Sequence, residues 1–529
     1  MMKNLSTVLI FISFSISCSK FIKSVDENYY DIADSKSSDH LSLIFSHNIN
    51  GETHPCGCRN FPLGGLPQVK GELFQQRDNS PVIYVDSGDA LFPSTNVPKF
   101  LEKSQLFTAK KIAESFDLNR LDYFTPGDQD FAYGIDFLGE ISKKVKFKFV
   151  LSNIKANKKI KSSLFEVKKV SNRTLVFIGV LDPELLDSKL RGFFTSPTQG
   201  IRKAIKEIKN KFELKKIKII LLSHSGMDKD KKIAKIFPEI SWIIGAHSQA
   251  FTQKTIDVGN TRIVQVLSRN HYLGKIKILH SKSIESNNRS SYSLIEVRDE
   301  LKLKEKNNPM IAWLDKYKVS LDAIQLQEQK DMGGDTSILP ANTASSCIEC
   351  HKEQSDFWKK TSHSLAFITL DHSKSANNPN CIKCHSLGYK SLKGFQNIDG
   401  MVLSDKKLDR YWAEFKETFK KIKSVRKLTS KERLTYSKKY EQLDQKFEVK
   451  HNFANVQCLN CHDKSHDHPF EMEENPSKTT NYQAKCLKCH TSDQSPEWYK
   501  KDNKGIATSV DQAYVSEIIK KISCPKRQE

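Results

Sequence analysis

The 529-residue chain carries 84 Lys and Arg residues against 62 Asp and Glu residues, a formal net charge of +22. Its length suits about two to four domains, and its 38% hydrophobic and 9% aromatic residues exclude a mainly disordered chain. The longest apolar run, 5–17, is too short to span a bilayer as a helix, and 12 Cys in so long a chain exclude a small disulfide scaffold.

The N-terminus has the pattern of an export signal. Lys3 supplies a positive charge, an apolar stretch covers 5–14, and small residues precede Cys18. This arrangement resembles the signal of bacterial lipoproteins, which implies removal of 1–17 and lipid attachment at Cys18. The alternative is ordinary signal-peptidase cleavage with Cys18 uninvolved. We expect a periplasmic or cell-envelope protein, anchored to a membrane through Cys18 and the polar tether 18–40.

The region 41–283 alternates short β-branched runs with amphipathic segments, which predicts a layered α/β fold. A helix is predicted over 201–212, between two strands. The predicted strands are 41–46, 82–85, 149–151, 175–180, 217–222, 242–244 and 263–266.

Five polar blocks accompany these strands. They are Asn48-Ile-Asn50-Gly51, Asp86-Ser-Gly88-Asp89, Gly127-Asp128-Gln129-Asp130-Phe131, Ser223-His224-Ser-Gly226 and Gly245-Ala-His247-Ser-Gln249. Their order resembles that of the calcineurin-like metallophosphoesterases, especially the 5′-nucleotidase branch. The resemblance implies a layered sandwich with two divalent metals, whose bridging hydroxide attacks phosphorus.

Several metal ligands that this resemblance implies are altered in the chain. The changed positions are Asn48, Asn50, Asp128, Gln129 and Gln249. Asp89, His224 and His247 keep the family's donors, and three scattered ligands hold at most one metal weakly. We therefore expect a retained fold without hydrolytic activity, with a residual metal-dependent phosphoesterase as the alternative.

A Pro-Cys-Gly-Cys element follows the first block. Cys56 and Cys58 lie too close in sequence for an unstrained disulfide with each other. Together with His54 they could bind a soft metal or undergo thiol redox chemistry. The alternative is a structural turn with one of these thiols bonded to Cys524. The element also resembles one in metallophosphoesterase-like proteins that are joined to multihaem cytochromes.

A linker is predicted over 284–345. Its first part, 293–329, is charged and helix-prone, and 331–346 contains two glycines and a proline, which indicates a hinge.

Eight of the cysteines form four copies of C-x-x-C-H, the attachment sequence of c-type haem. Two thiols three residues apart can bond the two vinyl groups of one haem, and the adjacent His supplies the proximal iron ligand. Zinc or thiol redox sites do not require a His after each second Cys. Four covalent haems are therefore predicted. The motifs are Cys347/Cys350/His351, Cys381/Cys384/His385, Cys458/Cys461/His462 and Cys486/Cys489/His490.

Further histidines are candidates for the second axial position of each iron. His363 follows the first motif in a short helical segment, and His466 and His468 closely follow the third motif. His372 and His451 are the remaining non-motif histidines after residue 340. Five candidates for four irons permit mostly bis-histidine, low-spin haems, which suit electron transfer.

The order of these motifs over about 346–500 resembles the cytochrome c-554 family of multihaem proteins. The resemblance implies a mostly helical domain, here 346–529, that carries electrons through closely packed haems. It also implies distal ligation by His363 and by one of His466 or His468. An inserted segment, 404–450, has apolar residues at helical spacing, which favours a hairpin packed on the haem core over a partner-docking arm.

Two classes of function remain open. The first is a membrane-tethered electron carrier between redox partner proteins. The second is a multihaem oxidoreductase that acts on a small nitrogen or sulfur species at an iron with an open position. Export and four haems argue against nucleic acid as a partner for the +22 charge. The charge suits anionic lipid or an acidic redox partner, and a general bias in composition explains it equally well.

Overall fold

A computed structural model describes most of the chain from residue 40 onward. The described residues are 40–55, 62–155, 159–170, 173–279, 290–331, 343–348, 351–389, 402–404, 408–462, 481–502 and 507–525. They divide into two compact units. The first comprises 40–55, 63–97 and 108–312, and the second comprises 62, 98–107 and the described residues from 313 onward.

The first unit contains two mixed β-sheets. Its strands are β1 (His40–Ser46), β2 (Val82–Asp86), β3 (Tyr123–Phe124), β4 (Lys148–Val150), β5 (Ser162–Ser163), β6 (Glu166–Val170), β7 (Arg173–Leu181), β8 (Ile217–His224), β9 (Ile240–Gly245), β10 (Ile256–Val258), β11 (Thr261–Val264), β12 (Tyr272–Leu279) and β13 (Ser290–Glu296). One sheet has the order β13-β12-β1-β2-β3-β4-β5, and the other has the order β10-β11-β9-β8-β7-β6. Strands β1 to β5 pair in parallel, as do β7, β8, β9 and β11.

Several helices connect these strands. They are α1 (Leu66–Asn79), α2 (Glu102–Leu118), α3 (Gly134–Lys144), α4 (Ser188–Arg191), α5 (Pro197–Lys211) and α6 (Met227–Ile236). Helix α5 begins at a capping box between Ser196 and Gln199, with Pro197 at its first position. Its apolar stripe, which includes Ile201 and Ile208, is buried against β7 and β8. The helix is therefore held by both its cap and its buried face.

The core of the first unit lies between the two sheets. Leu43 and Val85 of one sheet share a buried cluster with Ile220 and Trp242 of the other. Two sheets in contact through their apolar faces, with helices α5 and α6 on the outer face of one of them, form a layered α/β sandwich. The α/β fold predicted for this half is confirmed.

The structure extends the first unit beyond the boundary predicted at residue 283. Strand β13 (Ser290–Glu296) pairs with β12 at the edge of the larger sheet, whereas the sequence indicated a helical linker from residue 284. The reason is that a polar edge strand with one solvated face lacks the apolar run used to identify strands. The helix expected in this linker begins later, as α7 (Pro309–Asp331).

The second unit is mostly helical. Its helices are α8 (Ala344–Ile348), α9 (Lys352–Lys359), α10 (Ala366–His372), α11 (Pro379–His385), α12 (Leu408–Phe419), α13 (Ser430–Lys446), α14 (Cys458–Cys461), α15 (Tyr482–Leu487) and α16 (Gln512–Ile522). Two short antiparallel pairs complete it, β14 (Val402–Ser404) with β15 (Val449–Asn452), and β16 (Tyr499–Lys501) with β17 (Ala507–Val510).

The inserted segment forms a helical hairpin, α12 and α13, closed at its base by β14 and β15. Tyr411, Phe415 and Phe419 of α12 and Tyr440 of α13 are buried. They share a core with Phe367 of α10, so the hairpin is part of the core of the unit. No helix among the described residues is long and apolar enough to cross a bilayer.

Candidate functional sites

Four potential metal ligands meet where parallel strands of the first unit end. Asp89 follows β2, Asp128 follows β3, His224 ends β8, and His247 follows β9. The carboxyl ends of parallel strands are the usual position of ligand sites in α/β folds. One ligand atom from each of the four side chains lies within 4.8 Å of the other three.

Hydrogen bonds and ion pairs already join these four side chains. His224 Nε2 lies 3.1 Å from Asp128 Oδ1 and 3.2 Å from Asp89 Oδ2, and His247 Nδ1 lies 3.1 Å from Asp128 Oδ1. The other nitrogen of His224, Nδ1, lies 2.7 Å from the carbonyl of Ser87, which fixes the direction of the ring. Two carboxylates and two imidazoles in this arrangement suit one divalent cation.

The site brings several ionisable side chains together in a buried environment, which shifts their pKa values. Burial lowers the pKa of His224, but the charges and hydrogen bonds of Asp89 and Asp128 outweigh burial and raise it well above its usual value. Burial raises the pKa of Asp128, but hydrogen bonds to His224 and His247 outweigh that effect and lower it. Burial and the charge of Asp89 raise the pKa of Asp130 to about 7, although Asp130 accepts backbone hydrogen bonds that include those from Leu91 and Gly127.

Asn48, which stands where the metallophosphoesterases have Asp, acts as a hydrogen-bond bridge. Val266 N donates to His47 Nε2 at 2.8 Å, so His47 Nδ1 carries the proton and donates to Asn48 Oδ1 at 2.8 Å. Asn48 Nδ2 then donates to Asp89 Oδ2 at 2.9 Å. The amide therefore stabilises the Asp89 carboxylate, a task that a cation performs in a metal site.

The backbone around the altered positions is left-handed. The φ angles are 50° at Asn48, 56° at Asn50, 57° at Asp89, 68° at His247 and 48° at Gln249. Residues other than glycine adopt such angles rarely, and they do so mostly at functional sites. The chain thus keeps the loop conformations of a ligand site where the ligands themselves are altered.

Two further altered positions contain oxygen atoms without partners. Asn50 Oδ1 and Gln129 Oε1 are buried and accept no hydrogen bond. Amide oxygens are weak ligands of hard cations, so these positions offer much less than the imidazoles that they replace. The donor set fits one cation at Asp89, Asp128, His224 and His247, and it does not fit a second.

Asp128 is one of the altered positions, and the structure brings it into the cluster. Asp128 stands where the family pattern has Asn, and its charged carboxylate is a stronger metal ligand than an amide. This substitution was visible in the sequence. His47 was missed because its role depends on Val266, which is distant in sequence.

The Pro-Cys-Gly-Cys element is mostly outside the described residues. Cys56 and Cys58 are among the residues not described, and His54 is exposed and lies 3.1 Å from the Thr53 hydroxyl. Cys524 is exposed, and the alternative that pairs it with Cys56 or Cys58 involves residues outside the described part of the chain and stays a prediction.

The C-x-x-C-H motifs of the second unit adopt a helical turn. The backbone N–H of the motif His donates to the carbonyl of the first Cys at 3.0 Å in the first motif, 2.8 Å in the third and 2.9 Å in the fourth. The second motif lies within α11. One turn of helix brings residues i, i+3 and i+4 to one side, so the second, third and fourth motifs each present their thiols and imidazole together.

Three motif histidines have Nδ1 close to a fixed polar partner. His385 Nδ1 donates to the Ala366 carbonyl at 2.7 Å. His490 Nδ1 lies 2.7 Å from Ser495 Oγ, and His462 Nδ1 lies 3.4 Å from the Tyr482 hydroxyl. Such a partner at Nδ1 orients an imidazole and makes Nε2 the nitrogen that binds a metal. Burial also lowers the pKa of His385, which favours the neutral form that ligation requires.

His351 of the first motif is fixed through its backbone. It is half-buried and is the residue immediately before α9. Its N–H donates to the Cys347 carbonyl at 3.0 Å, and its own carbonyl accepts from Ser355 N at 2.9 Å. Cys350, the second thiol of this motif, lies outside the described residues. The structure therefore does not confirm His351 as the proximal ligand of the first haem, and that assignment stays a prediction.

The four motifs are close to one another in pairs. Cys347 of the first motif is in side-chain contact with Cys458 of the third, and Cys384 of the second is in contact with Cys489 of the fourth. Groups attached to these thiols therefore lie close together.

His363 lies beside His490 of the fourth motif, although it follows the first motif in sequence. The two ring centroids are 6.2 Å apart and the ring planes are inclined by 66°. Trp498 stacks on the ring of His490, with centroids 4.2 Å apart.

The other non-motif histidines differ in their surroundings. His451 on β15 lies 3.2 Å from the hydroxyl of the buried Thr343, whose carbonyl accepts a hydrogen bond from Cys347. His451 is therefore near the first motif, which sequence spacing did not indicate. His372 is exposed. His466 and His468 lie outside the described residues.

The two halves of the chain are similar to different known proteins. Residues 346–405 match the family described as cytochrome c554 and c-prime. The N-terminal half is 27% identical over 200 residues to Protein 5NUC of Lutzomyia longipalpis, covering 36% of this chain and 33% of that protein. It is 24% identical over 248 residues to human 5′-nucleotidase, covering 41% of each. The chain thus spans between a third and about two fifths of these curated relatives.

A 5′-nucleotidase precursor from Thermus thermophilus is among the similar solved structures, with a TM-score of 0.45, 17% identity, and coverage of 54% of this chain and 59% of that chain. Both resemblances predicted from the sequence are confirmed: residues 346–405 match the model of the cytochrome c554 and c-prime family, and the N-terminal half is similar in sequence to 5′-nucleotidases.

Proposed function

We propose that this protein is an extracytoplasmic, lipid-anchored cytochrome with four c-type haems that transfers electrons between redox partners. Its metallophosphoesterase-like domain binds at most one cation and does not hydrolyse phosphoesters. The haems attach at the four C-x-x-C-H motifs, and Cys18 carries the lipid.

The position of His363 beside His490 is the main support for electron transfer. A metal–imidazole bond is about 2 Å long, so two imidazoles on opposite sides of one metal ion have ring centroids roughly 6 Å apart. The observed separation of 6.2 Å fits this arrangement. We therefore propose that His363 and His490 would together hold the iron of the fourth haem.

A haem with two imidazole ligands supplies one-electron chemistry without exchanging a ligand. The chain's own residues keep His490 in the required orientation, since Ser495 is within hydrogen-bonding distance of Nδ1 and Trp498 stacks on the ring. On the other side, Ser364 Oγ lies 2.8 Å from Ser437 Oγ of α13, which fixes the turn that carries His363. Both ligands are thus held by the protein.

Replacing His363 tests this assignment. His363→Ala should convert about one haem in four from low spin to high spin in electron paramagnetic resonance of the oxidised protein, and that haem should bind carbon monoxide when reduced. The other three should keep their spectra, because their attachment does not depend on His363.

His40→Ala is the control, since His40 lies on β1 of the first unit, where no C-x-x-C-H motif occurs. It should leave the spectra unchanged. An unchanged low-spin count in His363→Ala would refute the assignment. A wild-type protein that already has one high-spin, ligand-binding iron would favour the oxidoreductase.

The cluster in the first unit supports a separate, single-metal site. Asp89, Asp128, His224 and His247 provide four donors for one cation, whereas two-metal hydrolysis needs a second ion to clamp the attacking and leaving oxygens. We expect no substantial phosphomonoesterase or nucleotidase activity with Mn²⁺, Zn²⁺ or Mg²⁺, and no more than one bound metal per chain besides the haem iron by elemental analysis. Robust turnover that is lost in His224→Ala would contradict this expectation.

Membrane anchoring rests on the signal-like N-terminus and Cys18. The protein should partition into the membrane fraction of its host and incorporate labelled fatty acid, and Cys18→Ala should abolish both. A Cys18→Ala variant that still incorporates the label would contradict lipid attachment at this residue.

A further inference from the structure

The connection between α12 and α13 is densely basic. No Asp or Glu occurs from 418 to 431, and the cations within this stretch are exposed. We call them the basic tip: Lys420, Lys421, Lys423, Arg426, Lys427 and Lys431.

Buried apolar residues and a helix cap hold the backbone of the basic tip in place. Phe419, Ile422 and Val425 alternate with the lysines and are buried in the core of the second unit. A capping box between Thr429 and Glu432 starts the next helix. Arg433 donates from its guanidinium to the Arg426 carbonyl at 2.9 Å, which closes the turn. The buried residues fix the backbone, so the basic side chains are held on the outside.

The charge of the basic tip is largely uncompensated. Among the described residues, only Lys420 of this group forms an ion pair, with Glu417 in the preceding turn. Like charges so close together repel one another, and an oppositely charged surface relieves that repulsion. A general bias towards lysine does not explain why the acidic residues that alternate with lysines elsewhere in the hairpin are missing here.

The basic tip is adjacent to the segment that carries His363. The turn Val425–Lys427 packs against Ser362–Leu365 and α10. The hairpin is also tied to this region by an ion pair between Lys359 and Glu441, 2.5 Å long. A molecule bound at the tip would therefore lie next to a candidate haem ligand.

We propose that the basic tip is the docking surface for an acidic redox protein that exchanges electrons with this cytochrome. Since this surface presupposes the electron-transfer function proposed above, it names the class of partner for that function. On docking, one electron leaves the reduced centre of the partner, which is oxidised, and one ferric haem becomes ferrous; no bond forms or breaks. A protein partner is favoured over a lipid surface because the tip adjoins the His363 turn. A redox protein docked there would lie near a haem that it can reduce, whereas a lipid surface gains nothing from that position.

Charge reversal in the holoprotein tests the proposal. The tip variant carries Lys421→Glu, Lys423→Glu and Lys427→Glu. The control variant carries Arg202→Glu, Lys203→Glu and Lys206→Glu, three exposed cations on α5 of the first unit. Both variants change the net charge equally, so a difference between them reports the location of the charge.

The probe is reduced flavodoxin, a small acidic one-electron donor, mixed with each oxidised protein in a stopped-flow instrument. At low ionic strength the second-order rate of haem reduction should fall by about tenfold in the tip variant, and it should remain near the wild-type value in the control. The difference should disappear above roughly 0.5 M salt, where the Debye length is only a few ångströms.

Reduction by dithionite separates the two proposals. If dithionite fails to reduce the wild-type haems reversibly, the electron-transfer function is wrong. If dithionite reduces all three proteins but flavodoxin does not distinguish the tip variant from the control, only the docking surface is wrong. A tip variant that loses binding to phosphatidylglycerol vesicles while keeping its flavodoxin rate would likewise overturn the proposal and identify the tip as a membrane surface.

Discussion

Asn48 shows how one substitution changes the requirements of a ligand site. Its amide nitrogen donates to Asp89 at the place where a cation would otherwise balance that carboxylate. Its amide oxygen accepts from His47 and from the backbone of His247. Protein atoms alone thus satisfy the buried side chain of Asn48, which is not possible for a buried pair of carboxylates.

Restoring a carboxylate at this position should make stability depend on metal. In Asn48→Asp, two carboxylates would meet at the 2.9 Å contact that now joins Asn48 Nδ2 to Asp89 Oδ2. We expect a loss of about 1–3 kcal/mol in the presence of a chelator. Saturating Mn²⁺ or Zn²⁺ should recover most of it. Thermal unfolding with and without metal measures both effects.

Asn153→Asp is the matched control for this experiment. Asn153 is also buried in the first unit, and its amide nitrogen donates to the carbonyls of Leu181 and Thr195. The substitution should destabilise the protein without rescue by metal. Equal rescue of both variants, or of neither, would show that Asn48 does not substitute for a cation.

The candidate ligand residues could be predicted from the sequence one by one, but the residues that contact them could not. Asp89, His224 and His247 were identifiable because each follows a recognisable strand. The role of His47 depends on Val266, and the position of His363 beside His490 depends on how the helices of the second unit pack. Sequence spacing does not encode such contacts between distant segments.

At the level of elements, strands that are continuous apolar runs were predictable, and strands that are polar or very short were not. Strands β7, β8 and β9 are apolar runs covered on both faces, and they occur within a few residues of their predicted positions. Strand β13 reads SSYSLIE, with buried and exposed positions mixed. Its pairing with β12 determines its structure, and local sequence gives little sign of that pairing.

The helical hairpin contains a buried carboxylate that should make its stability depend on pH. Burial raises the pKa of Asp444 to about 6, and Glu441 adds to this, although hydrogen bonds from Tyr411 and Asn452 act in the opposite direction. The folded state therefore holds this proton at a higher pH than the unfolded chain, in which the pKa is about 3.9. Stability should fall as pH rises from about 4 to 6, by about 2–3 kcal/mol.

Asp444→Asn should remove this dependence, because the amide does not titrate. Asp409→Asn, at an exposed position on α12, is the control and should retain it. Helix loss on urea titration, followed by circular dichroism at pH 4, 5, 6 and 7, measures the difference between the variants. The same pH profile in Asp444→Asn and wild type would assign the titration to another group.

At the level of the whole molecule, the sequence predicts different properties of the two halves. In the first unit the fold agrees with the predicted resemblance, whereas the donor set differs from the one that the resemblance implies, so the resemblance predicts the architecture better than the site. In the second unit the short motifs specify the chemistry directly, and the surrounding sequence specifies only how the motifs meet. The contacts of Cys347 with Cys458 and of Cys384 with Cys489 join motifs that are far apart in the chain.

The number of haems follows from the motifs and can be measured on the intact protein. In the second, third and fourth motifs, one helical turn places the thiols and imidazole on one side, and each of the four motifs should be an independent substrate for haem attachment. Protein produced with a haem-maturation system should have the mass of the mature chain plus four haems. Cys381→Ala with Cys384→Ala should lower the mass by one haem and leave the others attached, because thioether bonds at the other motifs do not involve these residues. Two or fewer haems on fully matured wild-type protein would refute the proposed function of the second unit.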